Sequence, residues 1–156
     1  MKMTKYYLAY GSNLNVSQME RRCPAARVAG VAEIKGYELL FKGSKSGSYL
    51  TIEKRKGSVV PVAVWSVNEE DEAALDRYEG FPDFYYKKEF RIKMKDLNDG
   101  KEKALNAFAY IMHEDRPFGI PTLFYMNICR NGYDSFKFNQ KYLIDAYEKS
   151  REEILK

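Results

Sequence analysis

The run Val59-Val60-Pro61-Val62-Ala63-Val64-Trp65-Ser66-Val67 carries almost no polar side chain. An apolar run this short and this rich in β-branched residues fits a strand, and a strand apolar on both faces must be covered on both. Pro61 lacks a ladder donor, so it belongs at the start of the strand or at a bulge. Lys103 to Met112 reads as a second apolar, central strand. Two such strands in 156 residues require a sheet with other layers packed against it.

The remaining elements follow from punctuation. Tyr6-Tyr7-Leu8-Ala9-Tyr10 is a short aromatic strand broken by Gly11-Ser12-Asn13, and Val16 to Arg22 gives two helical turns that stop near Cys23-Pro24. Ser12 or Asn13 is suited to cap that helix. Arg27 to Phe41 is strand-like, with Gly30 and Gly36 as bends or bulges, and Gly43 to Ser48 has the composition of a flexible loop. Tyr49 to Ile52 and Val59 to Val67 read as a hairpin about Lys56-Gly57.

Asn68, four acids and then Ala73-Ala74-Leu75 mark a helix that stops at Gly80, with Pro82 just beyond. Lys87 to Lys95 alternates as a half-exposed strand, and Asn98-Asp99-Gly100 turns the chain back. Two helices close the chain, Thr122 to Arg130 ending at Asn131-Gly132, and Asn139 to Ile154. The order β-α-ββββ-α-ββ-αα predicts an α+β fold, a small mixed-sheet β-barrel with flanking helices, as a single domain over residues 1–156.

Composition excludes more than it selects. Twenty-six basic and 22 acidic residues leave a net charge of +4, and the densest basic cluster, Lys54-Arg55-Lys56, fits a solvated turn better than a nucleic-acid patch. Cys23 and Cys129 have no CxxC spacing and read as reduced structural thiols in a cytoplasmic protein. Met1-Lys2-Met3-Thr4-Lys5 leads directly into the first strand without a signal peptide, and no stretch approaches membrane length. A single histidine, His113 in an exposed-looking loop, leaves no metal site built on imidazoles. Thirteen tyrosines and nine phenylalanines suit strands and half-buried walls.

Two places carry candidate chemistry. The Gly11-Ser12-Asn13 break is either a plain strand-to-helix turn or a cradle whose free N–H groups hold a carboxylate or phosphate. No phosphate-binding lysine follows the glycine, which favours a carboxylate. Glu79 sits in the last turn of its helix, where a negative charge is disfavoured. It is either a tolerated surface residue or a carboxyl kept for proton transfer; enclosure by Tyr78, Phe81, Phe84 and the strand aromatics would raise its pKa.

Tyr7-Leu8-Ala9-Tyr10-Gly11-Ser12-Asn13-Leu14, Leu75-Asp76-Arg77-Tyr78-Glu79-Gly80 and Ala107-Phe108-Ala109-Tyr110-Ile111-Met112 together resemble the gamma-glutamylcyclotransferase (AIG2-like) family over nearly the whole chain. The resemblance implies a cofactor-free enzyme that converts a γ-glutamyl amino acid or γ-glutamylamine to 5-oxoproline by intramolecular aminolysis. It implies Glu79 as general acid/base and Tyr7, Leu8, Ala9, Tyr10, Gly11, Ser12 and Asn13 as the substrate-binding segment. Tyr125 falls where the family places a substrate-contacting tyrosine, and Tyr110 fits a further wall. Family members pair, so a homodimer is compatible. The competing reading is a binding module that retains γ-glutamyl or another small carboxylate without turnover. Neither the short loop before the hairpin nor Met112 to Pro121 identifies the departing group.

Overall fold

The structure is a computed structural model, and it describes residues 4–44 and 47–156. Residues 1–3, part of the segment expected to lack a leader, and residues 45–46 of the expected flexible loop lie outside the described residues. Five strands, β1 (Lys5–Ala9), β2 (Arg27–Lys42), β3 (Tyr49–Val67), β4 (Tyr85–Asp96) and β5 (Glu102–Met112), form a closed barrel in the order β1-β3-β2-β4-β5. Four helices flank it: α1 (Val16–Arg22), α2 (Glu69–Glu79), α3 (Leu123–Ser135) and α4 (Lys141–Ile154). The sheet is mixed. β1 pairs antiparallel with β3 and parallel with β5 at Tyr7↔Phe108, and the remaining pairings are antiparallel. The expected small mixed-sheet barrel with flanking helices is therefore the architecture observed.

The region between α1 and α2 differs in detail from the four strands expected. β2 and β3 are two long strands of 16 and 19 residues that pair with each other. The partner of Tyr49–Ile52 is not the Val59–Val67 run but Leu39 to Lys42. Lys56-Gly57 is consequently no hairpin tip. Between Lys35↔Val59 and Tyr37↔Lys54 the register jumps, so that Gly36 of β2 faces residues 55–58 of β3 in a wide bulge. Solvated basic residues with Gly57 at φ +86° look alike in a bulge and in a turn. Pro61 lies just past this bulge, opposite Glu33 and two residues beyond the last β1 pairing, Ala9↔Ala63, where the ladder tolerates a missing donor.

Leu8, Val62, Val64, Trp65, Ile52 and Ile111 belong to the core, all buried. Fully burying an aliphatic side chain of this size contributes about 1.5–3 kcal/mol. α4 docks on β2 through Ser150, whose Oγ accepts from the Phe41 N–H (3.2 Å) and donates to the Phe41 carbonyl (2.8 Å). Ser150 thereby satisfies both backbone groups of a buried residue beyond the short β2–β4 pairing at Gly30 and Val31. Thr122 caps α3 by accepting from the Tyr125 N–H at 3.1 Å. The helix then runs through Asn131-Gly132 to Ser135 instead of ending there.

Gly132 serves close approach, not a cap. A Cβ at this position would stand 2.6 Å from the Leu14 Cβ and 2.7 Å from its carbonyl carbon. Leu14 ends the 3₁₀ turn Ser12–Leu14 that follows β1, so α3 is pressed directly against the loop. Gly132→Ala is expected to destabilise the fold by about 1–3 kcal/mol through overpacking. Urea unfolding checks this; an unchanged midpoint would show that α3 does not sit this close to Leu14.

Candidate active site

One end of the barrel collects the candidate residues. β1 and β5 run parallel, so Tyr10 at the exit of β1 and Tyr110 near the end of β5 emerge together. β3 and β4 run the other way, and their first residues, Tyr49, Leu50 and Tyr85, reach the same end. α2 ends just before β4, bringing Tyr78, Glu79 and Gly80 to it. A cavity of about 460 Å³ lies there, lined by these residues with Tyr7, Gly11, Ser12, Asn13, Arg77, Phe84 and Tyr125.

The loop is built differently from the expected cap. Asn15, not Ser12 or Asn13, caps α1, its side chain accepting from the Gln18 N–H at 3.1 Å. The side chains of Ser12 and Asn13 are thus released toward the cavity wall. Ser12 Oγ shares a 2.9 Å hydrogen bond with the Tyr78 hydroxyl, and Asn13 Nδ2 donates to the Tyr7 hydroxyl at 2.8 Å. The 3₁₀ turn uses the N–H groups of Leu14 (to Gly11 O) and Asn15 (to Ser12 O). No bond to a described backbone acceptor uses those of Gly11, Ser12 or Asn13. Among the described residues these N–H groups have no competing backbone acceptor, which leaves donors that suit an anion.

Hydroxyl groups fix the walls. Tyr10 donates to the Tyr110 carbonyl (2.5 Å), Tyr85 donates to the Leu50 carbonyl (2.8 Å), and Tyr125 accepts from the Leu50 N–H (3.1 Å). Tyr110 donates to Asp76 Oδ1 at 2.6 Å. Burial holds the hydroxyls of Tyr7, Tyr10 and Tyr85 well above the ordinary tyrosine range, and the neighbouring Glu79 charge adds to it. These phenols therefore stay neutral.

Glu79 is the last residue of α2 and partly buried. Gly80 stops the helix in the left-handed region at φ 64°, which glycine adopts without a Cβ clash, and Phe81 N–H then bonds back to the Asp76 carbonyl at 2.9 Å. No described residue donates a hydrogen bond to the Glu79 carboxyl, which faces the cavity. Desolvation raises its pKa to about 8, partly offset by the Arg22 guanidinium. A carboxyl poised in this way both accepts and returns a proton near neutral pH.

Of the residues singled out in the sequence, Tyr7, Tyr10, Gly11, Ser12, Asn13, Glu79, Tyr110 and Tyr125 share the cavity. Leu8 and Ala9 do not line it; they are buried in the core, paired with Val64 and Ala63. Strand alternation turns Leu8 away from the face that Tyr7 presents. Phe81 also stays off the wall, whereas Tyr78 and Phe84 stand on it as expected. Tyr49, Leu50, Arg77 and Tyr85 were not read from the sequence; for Tyr49 and Leu50 it is the β2–β3 pairing that brings the start of β3 to this end. Cys23 and Cys129 are buried free thiols, and His113 lies outside the cavity, bonded through Nε2 to the Pro82 carbonyl at 2.7 Å.

The family model described as gamma-glutamyl cyclotransferase, AIG2-like, matches residues 7–125, which include the loop, Glu79 and Tyr125. The chain belongs to this family. The gamma-glutamylcyclotransferase of Mus musculus is 30% identical over 122 residues, 73% of this chain and 63% of that protein. The Homo sapiens protein of the same name is 29% identical over 119 residues, 71% of this chain and 62% of its own length. The match thus spans less than two thirds of these relatives. A solved structure named gamma-glutamyl cyclotransferase superposes with a TM-score of 0.74 at 27% identity, covering 96% of this chain and 87% of that one. A yeast gamma-glutamyl cyclotransferase specific to glutathione shares the fold, at 11% identity and a TM-score of 0.63. Among the described residues no helix is long and apolar enough to cross a membrane.

The pKa of Glu79 has a consequence for stability. Its folded value, about 8, lies above the ordinary carboxylate value, so the native state holds the proton more tightly than the unfolded chain does. The stability this gives is full at acid pH and is lost as pH rises through about 8. Glu79→Gln removes that loss. Urea unfolding of both proteins at about pH 5 and about pH 9 is expected to show the wild type falling behind the variant by about 3 kcal/mol at the higher pH. A parallel pH dependence would show that Glu79 is not desolvated.

Proposed function

We propose that this member of the family converts a γ-glutamyl amino acid or γ-glutamylamine to 5-oxoproline and the free amino acid or amine, with Glu79 as general acid/base. The observation that carries this reading is a desolvated carboxyl that accepts no hydrogen bond from a described residue, sharing one cavity with loop residues whose N–H groups bond no described backbone acceptor. The substrate brings its own nucleophile, so the reaction needs no protein thiol or hydroxyl to attack.

The α-nitrogen of the γ-glutamyl unit attacks its own γ-carbonyl carbon. A C–N bond forms to close the five-membered lactam, and the bond to the departing nitrogen breaks. Starting from an ammonium, the attacking nitrogen gives up two protons and the departing nitrogen gains two, so no net proton is consumed. Glu79 carries protons between the two nitrogens. The N–H groups of Gly11, Ser12 and Asn13 hold the substrate carboxylate or the developing oxyanion. The phenol-lined wall, with Tyr7, Tyr10, Tyr110 and Tyr125, keeps the chain folded so that amine faces carbonyl, an advantage of proximity. A pocket meant only to bind an anion gains nothing from a second carboxylate, which argues against a binding module without turnover.

The experiment is incubation with γ-glutamyl-alanine and γ-glutamyl-ε-lysine, followed by detection of 5-oxoproline. Turnover is expected with at least one, with kcat/KM rising with pH along a limb centred near 8, where free Glu79 loses its proton. Glu79→Gln is expected to lower kcat by about 10²–10⁴-fold. Ligand-dependent thermal stabilisation without product would support the binding module instead, and full activity in Glu79→Gln would remove Glu79 from the mechanism.

A further inference from the structure

Arg22 closes the last turn of α1, a position where the helix dipole favours a cation for reasons of stability alone. Its contacts go further. One guanidinium nitrogen donates to Asn13 Oδ1, and the other donates to Gln18 Oε1 at 3.0 Å. The guanidinium carbon lies 3.4 Å from the centre of the Tyr78 ring. Asn13 passes the connection to the Tyr7 hydroxyl, and the Tyr78 hydroxyl returns to Ser12 Oγ. The contacts form a closed circuit: Arg22 to Asn13, along the chain to Ser12, across to Tyr78, and back to Arg22. Glu79 is the next residue after Tyr78.

We propose that Arg22 is a positioning residue for the reaction at this site: its fork and its stack tie the Ser12–Asn13 loop to the Tyr78–Glu79 end of α2. The inference rests on the reading of Glu79 as proton carrier. The loop and the helix end are far apart in sequence and meet only at this barrel end, so each must be held against the other for amine, carbonyl and carboxyl to align. An error of an ångström in such alignment is costly in rate.

The charge of Arg22 also acts on Glu79, which neutral phenols surround. From β1 comes the phenol of Tyr7, from its exit Tyr10, from β4 Tyr85, and from β5 Tyr110, all neutral and all interacting with its charge. Arg77, on the same helix, lines the cavity. Arg22 is the group whose charge draws Glu79 toward ionisation, against a larger desolvation. Without it, the free protein would hold the Glu79 proton more tightly and present less carboxylate to an incoming ammonium. Lysine would keep the charge but has neither the planar face for Tyr78 nor the fork for Asn13 and Gln18.

The test separates these parts. The full chain, labelled with ¹³C at glutamate carboxyls, is titrated by NMR, the Glu79 signal being the one missing in Glu79→Gln. Arg22→Gln is expected to move the Glu79 midpoint to higher pH and to carry the rising limb of kcat/KM for γ-glutamyl-alanine with it. Arg22→Lys is expected to leave the midpoint near the wild-type value while lowering kcat/KM about tenfold, the worth of a charge-assisted hydrogen bond. A purely structural Arg22 would lower the melting temperature and move neither midpoint nor limb. That result, or wild-type kcat/KM in Arg22→Lys, overturns the proposal, and the lysine variant decides alone if Arg22→Gln does not fold. Failure of the wild type to turn over any γ-glutamyl compound would overturn the proposed function, whereas the NMR midpoints judge the hold of Arg22 on Glu79 without reference to activity.

Discussion

Everything at the site depends on the parallel pairing of β1 with β5 at Tyr7↔Phe108, which closes the barrel. An antiparallel strand in the place of β1 would send its exit loop to the opposite end. Parallel pairing instead brings Gly11-Ser12-Asn13 out beside Tyr110. Aromatic rings fasten this seam: Tyr7 lies 5.5 Å from Phe108 and 5.7 Å from Tyr110, and Phe108 lies 5.7 Å from Tyr110. Such pairs contribute about 0.5–1.5 kcal/mol each beyond their burial. The density of tyrosine in this chain therefore serves closure and cavity together, since the same rings pack inward and present their hydroxyls at the barrel end.

Much of this was legible in the residues. The apolar runs marked β3 and β5 as central, and the Asn68 cap with four following acids marked α2, where the structure has a reciprocal Asn68–Asp71 capping box. Glu79 stood out because its charge opposed the helix dipole. What escaped were features that depend on a partner distant in the chain. Lys56-Gly57 carries the same local signal in a bulge as in a turn, and only the β2 register decides between them. Gly132 reads as a helix stop until Leu14 is packed against it. Asn13 reads as a cap until Asn15 takes that task and frees Asn13 for Tyr7 and Arg22. Arg22 itself offered no signal beyond a basic residue in a last turn.

The distribution of cations sets the three carboxyls Glu72, Asp76 and Glu79 of α2 apart. Glu72 and Asp76 share one face of the helix, and Lys87 reaches both, at 2.7 and 2.9 Å, with Lys5 2.9 Å from Glu72. Burial alone would raise Glu72, yet the bonds from Lys87 and Lys5 hold it below the ordinary carboxylate range. Glu72 is therefore spent as a fixed charge, and Asp76, paired with Lys87, in turn orients Tyr110. Glu79, one turn beyond Asp76, has no lysine partner and no hydrogen-bond donor among the described residues, so desolvation dominates there and raises its pKa to about 8. Arg22 sits in between: its fork is occupied by Asn13 and Gln18 and its face by Tyr78, which leaves Glu79 its field without a direct bond. A direct ion pair would favour the carboxylate further, whereas removal of the cation would leave desolvation unopposed and favour the protonated form. The structure places Glu79 between those limits, at the cost of an unfavourable charge at the helix end.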